Sequence, residues 1–345
     1  MPSSTSDPGP AGPQPAWLYD LIGVPAQAEG GRFAAGGTDF EVIDGIPRQA
    51  GTHSGTQQQT ADSFGFKWAQ EDIYDQPEFL APVRDWLVER YGNVAAQPWW
   101  NGDRAPVLLD AGCGAGLSAL ELFGDVLNRC NYLGADVSGA VDVARRRFAT
   151  HGHAGAFIQC DLNALPLPPA SVDMIFSEGV LHHTDRPHDT FDTLARRLKP
   201  GGRFLFYIYR KKGPIREFTD DHVRARLQSL SPQEAWDALE PLTQLGKVLG
   251  DLDIEIDVPE DIALLEIPKG KIDLQRLFYW HVAKAFYRPD WSLEQMNKIN
   301  YDWYAPANAS RHTLEELRGW CADADLAIER EVAEDAGITI IARKV

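Results

Sequence analysis

The chain is predicted to fold as an α/β protein, a mostly parallel sheet with helices on both faces. Three observations carry this. Short apolar runs alternate with helical stretches from Val107 onward, the pattern of strands joined by crossover helices. The first run ends in an acid and a glycine-rich turn, Asp110-Ala111-Gly112-Cys113-Gly114-Ala115-Gly116. Acids also stand at the ends of the next strands, at Asp136, Asp161 and Glu178, on the edge where open parallel sheets bind ligands.

Taken in order, residues 1–16 form a Pro/Ser/Gly-rich tail that cannot bury enough surface to order itself. It has neither a basic start nor an apolar core, so it does not read as a secretory signal. Residues 17–60 read as a small β-rich unit, in which the strand Phe40–Ile43 runs into a turn at Asp44-Gly45-Ile46-Pro47. A polar stretch, Gly51 to Thr60, separates it from Phe64-Gly65-Phe66-Lys67-Trp68. A helix is expected from Phe79 to Tyr91, with Phe79, Leu80, Val83, Trp86 and Leu87 on its apolar face. Pro82 is tolerable there only in the first turn.

Residues 61–212 carry the strand–helix alternation. Strands are expected at 107–110, 132–136, 156–159, 172–176 and 203–209, and helices beginning near Gly116, Ala140 and Thr190. The last helix should stop at Leu198-Lys199-Pro200-Gly201-Gly202. Residues 213–305 are far longer than the roughly 2–6 residues that usually connect α/β elements. Their aromatic content predicts a packed helical cap. Residues 306–345 return to the core, with a helix from Thr313 to Ala324 opened by the capping box Thr313-x-x-Glu316 and strands at 327–332 and 338–342. No internal repeat is visible.

A length of 345 residues suggests about two domains or one decorated domain. Hydrophobic residues at 44% and charged residues at 24% exclude a wholly disordered or fibrous chain. The 33 basic and 50 acidic side chains leave a net charge of −17, which repels phosphate backbones unless a basic patch offsets it. Arg145-Arg146-Arg147 and Arg210-Lys211-Lys212 are short and read as solvated faces, so no nucleic-acid partner is expected. The four cysteines include no C-x-x-C pair, so neither a disulfide framework nor a metal site is expected. No apolar run approaches the roughly 20 residues of a membrane span. The expectation is a cytoplasmic protein without a membrane partner; its oligomeric state is left open.

The glycine-rich turn brings the backbone close to a ligand and opens a helix N-terminus. It is not the dinucleotide form, because Leu117 follows Gly116, and it lacks the Gly-Lys-Ser/Thr of a nucleotide P-loop. Asp136 stands 24 residues after Gly112, at a spacing suited to accepting from both ribose hydroxyls. Asp161 ends the third strand, where a carboxylate can take an exocyclic amino proton of adenine. Ser177-Glu178-Gly179-Val180-Leu181-His182-His183 follows the fourth. His182 or His183 could serve as general base or merely shape the pocket. Glu178 could accept from an ammonium group or from substrate, or could be structural.

This series resembles the class I S-adenosylmethionine-dependent methyltransferases over roughly residues 61–212 and 306–345. The resemblance implies a Rossmann-like sandwich on a seven-stranded, mostly parallel sheet whose last strand is antiparallel, with S-adenosyl-L-methionine as cofactor. It implies that Asp110 and Gly112-Cys113-Gly114 contact the methionine part. Asp136 and Val137 would meet the ribose and adenine edge, Asp161 and Leu162 would flank adenine, and Ser177 would line the methyl-donor end. The N-terminal Asp44-Gly45-Ile46-Pro47-Arg48 and Ala61-Asp62-Ser63-Phe64-Gly65-Phe66-Lys67-Trp68 are similar to bacterial methyltransferases that carry a zinc-ribbon-like segment before the catalytic domain. The cysteine pairs are missing here, with Val24-Pro25-Ala26-Gln27 in the place of C-P-x-C, so no zinc is expected.

Methyl transfer to a small-molecule acceptor by in-line displacement is therefore the expected activity. An RNA- or protein-modifying methyltransferase and a donor-binding protein without methyl transfer are the alternatives. At the end of the cap, Tyr301 and Tyr304, and just beyond it Arg311 and His312, are candidate substrate residues, with packing the competing role for the two tyrosines.

Overall fold

The computed structural model describes residues 14–51, 54–68 and 77–345. Its centre is a ten-stranded sheet of order β1-β2-β3-β6-β5-β4-β7-β8-β12-β11. The strands are β1 (Arg32–Ala35), β2 (Thr38–Ile43), β3 (Ile46–Gln49), β4 (Val107–Ala111), β5 (Asn131–Asp136), β6 (Ala156–Gln159), β7 (Val172–Glu178), β8 (Leu198–Tyr209), β11 (Leu326–Ala333) and β12 (Gly337–Lys344). Strands β4 to β8 pair in parallel, and β12 runs antiparallel to both β8 and β11. The expected seven strands are thus the stretch from β6 to β11, and three N-terminal strands extend them.

Strand β4 is buried along its whole length. Its continuous apolar run follows from helices covering both faces. One face packs under α1 (Ala16–Ile22), α6 (Pro187–Ala195) and α11 (Leu314–Asp323), around Leu18, Leu109, Phe191, Phe204 and Leu317. The other packs under α3 (Pro77–Tyr91), α4 (Leu117–Phe123) and α5 (Ala140–Thr150), around Leu87, Phe123, Phe148 and Phe176.

The N-terminal region is not a separate unit. Asp44 and Gly45, both at positive φ (52° and 69°), make the two-residue turn that pairs Ile43 with Ile46. Strand β3 then joins β6 in parallel at Arg48 and Gln159. The Arg48 guanidinium donates to Gln159 Oε1 at 2.6 Å and to Asp142 Oδ1 at 2.8 Å, so this motif docks the hairpin to the core. The expected tail lies mostly outside the described residues; of its last residues, Gln14 packs on the core, its amide donating to Gly45 O and its Oε1 accepting from Phe157 N.

Other boundaries move too. The polar stretch from Gly51 is no linker, because α2 (Gly55–Trp68) starts inside it. Helix α3 begins at Pro77, which puts Pro82 beyond its first turn. Residues 198–202 do not end a helix. The helix stops at Ala195, and residues 199–202 form an irregularity within β8, between the pairs Val172–Leu198 and Met174–Arg203.

Residues 213–305 form α7 (Pro214–Leu227), α8 (Pro232–Asp251), the hairpin β9 (Glu255–Val258) and β10 (Gly270–Asp273), α9 (Leu274–His281) and α10 (Leu293–Tyr304). Leu227, Leu239, Tyr301, Trp303 and Tyr304 make their own apolar cluster. No described helix is long and apolar enough to cross a membrane.

Candidate functional site

A cavity of about 630 Å³ lies at the carboxyl ends of β4 to β7, within the usual range for small-molecule sites. The sheet supplies Asp110, Gly112, Asp136, Asp161 and Glu178, while α2 and the cap supply the opposite wall. Cys113, Gly114, Val137 and Leu162 line it as well.

On the sheet side, backbone geometry dictates the residues. Gly112 sits at φ +84°, and a Cβ there would meet the Val180 methyl groups at 2.3 Å. Only glycine fits such a place. The N–H groups of Gly112 and Cys113 both donate to Ala135 O, at 2.7 and 3.0 Å. Asp136 then locks the turn: its Oδ2 accepts from Gly114 N at 2.9 Å and its Oδ1 from the N–H and hydroxyl of Ser138. Asp161 caps the turn after β6 by accepting from Asn163 N at 2.7 Å, and its own N–H donates to Gln49 of the N-terminal hairpin at 2.9 Å.

Asp110 is 4% exposed. The Tyr132 hydroxyl donates to its Oδ2 at 2.6 Å, and its Oδ1 has no hydrogen-bond partner among the described residues. Burial pushes this carboxyl up to about 7. A buried acid with one open oxygen on a cavity is suited to a cationic group, which would favour its charged form.

Glu178 lines the cavity but is fully engaged. Its oxygens accept from Arg90 at 3.0 Å and from the Tyr91 hydroxyl at 2.5 Å. Arg90 also pairs with Glu334 at 3.0 Å and lies between the rings of Trp86 and Tyr207. This network anchors the end of β7.

The two histidines part company. His183 lines the cavity, with Nδ1 at 2.5 Å from Asn308 O and its ring edge-on to Phe64. Burial draws its pKa down to about 3, so it is neutral and a poor base. His182 does not line the cavity. It is fully buried, stacks on Tyr209, and its Nδ1 accepts from Tyr209 N at 3.2 Å. Burial, then the neighbouring His183, holds it neutral.

Five further candidates also lie away from the cavity lining. Ser177 is buried, and its hydroxyl donates to Ala111 O at 2.9 Å, joining β7 to β4. Tyr301 packs between Phe66 and Trp236. The Tyr304 hydroxyl donates to Asp220 Oδ1 at 2.9 Å and accepts from Lys284 N at 2.7 Å. Arg311 pairs with Glu217 at 2.8 Å and Asp221 at 2.6 Å. His312 sits against Trp320, with Nε2 at 2.9 Å from the Ser310 hydroxyl. All five hold elements together.

What sequence reading missed is the opposite wall. Lys67, Lys212, Arg216, Lys284, Arg288 and Lys298 line the cavity, together with Trp280, Trp291 and Trp303. Lys212 belongs to a run expected to be a solvated face. Instead, its ammonium donates to Ala336 O at 2.9 Å and to Asp335 O at the cavity rim. Likewise Arg147 is buried, donating to Ala115 O at 2.8 Å beneath the glycine turn. The spacing of Phe64, Lys67 and Trp68 at i, i+3 and i+4 is the one signal that could have placed α2 on the site. Among the described residues, no group of His, Cys, Asp or Glu could hold a metal ion.

Residues 109–206 match the family model of a methyltransferase domain. The chain is similar to a fatty-acid O-methyltransferase of Mycolicibacterium smegmatis, 35% identical over 147 residues, covering 42% of this chain and 51% of that protein. It is similar to a malonyl-[acyl-carrier protein] O-methyltransferase of Marinomonas, 30% identical over 168 residues, covering 46% of this chain and 60% of that protein. The chain thus spans about half the length of the curated relatives it matches. A solved S-adenosylmethionine-dependent methyltransferase from Aquifex aeolicus aligns at 14% identity and a TM-score of 0.40, covering 81% of this chain and 98% of that one.

Proposed function

We propose, from the match of residues 109–206 to a methyltransferase domain and the O-methyltransferase relatives, that the protein is a class I S-adenosylmethionine-dependent methyltransferase that methylates a small-molecule acceptor held under the cap. The observation that carries the reading is the cavity itself. It joins the glycine turn and strand-end acids of the sheet to an aromatic, cationic wall from α2 and residues 212–303, and its volume of about 630 Å³ suits a small ligand.

The residues present fit the donor. Gly112 leaves no room for a side chain, Asp110 offers an open buried oxygen to a cation, and Asp136 stands beside the turn as a hydrogen-bond acceptor. When bound, S-adenosyl-L-methionine supplies a methyl group activated by a sulfonium sulfur. Asp110 and Gly112-Cys113-Gly114 would hold its methionine part, Asp136 and Val137 the ribose, and Asp161 with Leu162 the adenine. Trp68, over Gly114, and Trp303 would exclude water and hold the acceptor in line. Orientation of that kind can account for about 7–11 kcal/mol of a barrier. Glu178, tied to Arg90 and Tyr91, and His182, away from the cavity lining, act in this reading as positioning groups.

The test is calorimetric titration of the full chain with S-adenosyl-L-methionine, followed by methyl incorporation into a panel of metabolites, total RNA and total protein. Binding with transfer to a small molecule is the expected result. Transfer into RNA or protein alone overturns the small-molecule acceptor, and binding without any transfer favours a donor-binding protein.

A further inference from the structure

Charge in the cavity is segregated. Among the described residues, four carboxylates, Asp110, Asp136, Asp161 and Glu178, lie on the sheet side, whereas the opposite wall has six basic side chains against the single carboxylate of Asp302. This is a positive wall in a chain of net charge −17. Several of these cations are already neutralised. Lys67 pairs with Asp302 at 2.7 Å, Arg216 with Asp220 at 2.8 Å, and Arg288 with Asp290 at 3.0 Å.

Lys284 is held differently from these three. It is 8% exposed and lines the cavity, and among the described residues its ammonium makes no hydrogen bond or ion pair. The ammonium lies over the face of Trp303, at 4.7 Å from the ring centre. An unpaired buried cation is costly and ordinarily shifts towards its neutral form. Burial, with Arg216 beside it, brings Lys284 down to about 7. The charged groups that face it are Arg216 and Asp220 on α7, Lys67 on α2 and Asp302 on α10, with Lys212 at the start of the cap.

The backbone around Lys284 is held with unusual care for a segment outside helix and strand. Lys284 N donates to the Tyr304 hydroxyl at 2.7 Å, Ala285 O accepts from Gln275 Nε2 at 2.7 Å, and Phe286 N donates to Asn300 Oδ1 at 2.9 Å. All three side-chain partners are buried to within 1% exposure. Helix α8 comes close enough to press on this segment because residue 246 is glycine: a Cβ there would meet Ala285 O at 2.7 Å. Such support preorganises a charge at a site built to meet a ligand.

We infer that the acceptor is an organic anion, a carboxylate on an aromatic or apolar body, whose charge is received by Lys284 with Lys212 beside it. The inference rests on the reading of this cavity as a methyl-transfer site and names its substrate class. Trp280, Trp291 and Trp303 supply the apolar surface for the body of the ligand. Lys212, whose ammonium donates to the carbonyls of Asp335 and Ala336 and lies near the Trp280 and Trp303 rings, supplies a second charge that, among the described residues, no carboxylate pairs with directly.

The test titrates benzoate, phenyl phosphate and benzyl alcohol into the full chain, with and without S-adenosylhomocysteine. Benzoate should bind at least about tenfold more tightly than benzyl alcohol. Lys284→Met should erase that preference and Lys284→Arg keep it. Because a bound anion favours the charged ammonium, benzoate binding at pH 8 should take up protons, seen by comparing buffers of different ionisation enthalpy, and uptake should fall in Lys284→Met. Equal affinity for benzoate and benzyl alcohol, or an unchanged preference in Lys284→Met, overturns the inference. Tighter binding of phenyl phosphate than of benzoate overturns the carboxylate. S-adenosyl-L-methionine is titrated into the same preparation: no donor binding alongside an intact benzoate preference removes the methyl-transfer reading and leaves the anion site standing.

Discussion

The sheet half of the cavity takes its polar groups from strand ends between residues 110 and 178, whereas the cap half collects Lys67, Lys212, Lys284, Lys298 and Trp303 from elements far apart in the chain. On the sheet side nearly every polar atom is bound to the backbone or to a neighbour: Asp136 to Gly114 and Ser138, Glu178 to Arg90 and Tyr91. On the cap side Lys284 is left open on the cavity. On the proposed reading, the difference separates a scaffold that holds the donor from a wall that meets the acceptor. Parallel strand ends deliver backbone N–H groups and acids to the same edge by construction, while a cap must be packed into place.

The largest expected effect breaks the scaffold on the sheet side. Arg90 is fully buried and holds both Glu178 and Glu334. Removing one partner of a buried ion pair strands the others, so Arg90→Met should cost about 3–5 kcal/mol of stability, read by urea unfolding. A cost below about 1 kcal/mol would mean that the end of β7 stands without it.

Asp136→Ala comes next. It removes the acceptor for Gly114 N and the acid assigned to the ribose, and should weaken S-adenosyl-L-methionine by about 1.5–3 kcal/mol in calorimetry. On the cap side the matching change is Tyr304→Phe. It takes away the acceptor for Lys284 N and a donor to Asp220, and should cost about 1–3 kcal/mol of stability while leaving donor affinity nearly unchanged. A large loss of donor affinity in Tyr304→Phe would join the two halves that are distinguished here.

How much of this was readable beforehand follows the same division. Val107 to Gly116 is a local pattern, and local patterns survive in sequence: the strand, the acid and the turn lie where their spacing puts them. The capping box at Thr313 likewise marks the start of α11, with Glu316 accepting from Thr313 N at 2.8 Å. Tyr301 and Tyr304 show the limit. Aromatic and polar residues together look alike in a pocket wall and in a buried network, and only tertiary packing turns Tyr304 towards Asp220. Lys284 carries no local signal at all, because its surroundings depend on Trp303, Arg216 and Gly246 arriving from three separate helices. The ten-stranded sheet was illegible for the same reason, since Arg48 meets Gln159 and Asp142 only after folding.

A pH dependence is also expected on the sheet side. Burial raises Asp110 from 3.8 to about 7. Its folded-state pKa therefore stands above the unfolded value, so its stabilising contribution is full below about 4 and is lost as pH rises through about 7. Relative to the natural chain, Asp110→Asn should gain melting temperature between pH 5 and pH 8. The same ionisation should strengthen donor binding over that interval in the natural chain but not in Asp110→Asn. A parallel pH profile in the two proteins would remove Asp110 from the donor site.

The division between the halves is tested most directly by one paired titration, S-adenosyl-L-methionine into Asp136→Ala and into Lys284→Met. The expected result is a loss of at least about tenfold in the first and a change of less than about threefold in the second. Equal losses in two variants that both keep their fold would contradict the account, because the cap cation would then belong to the donor site.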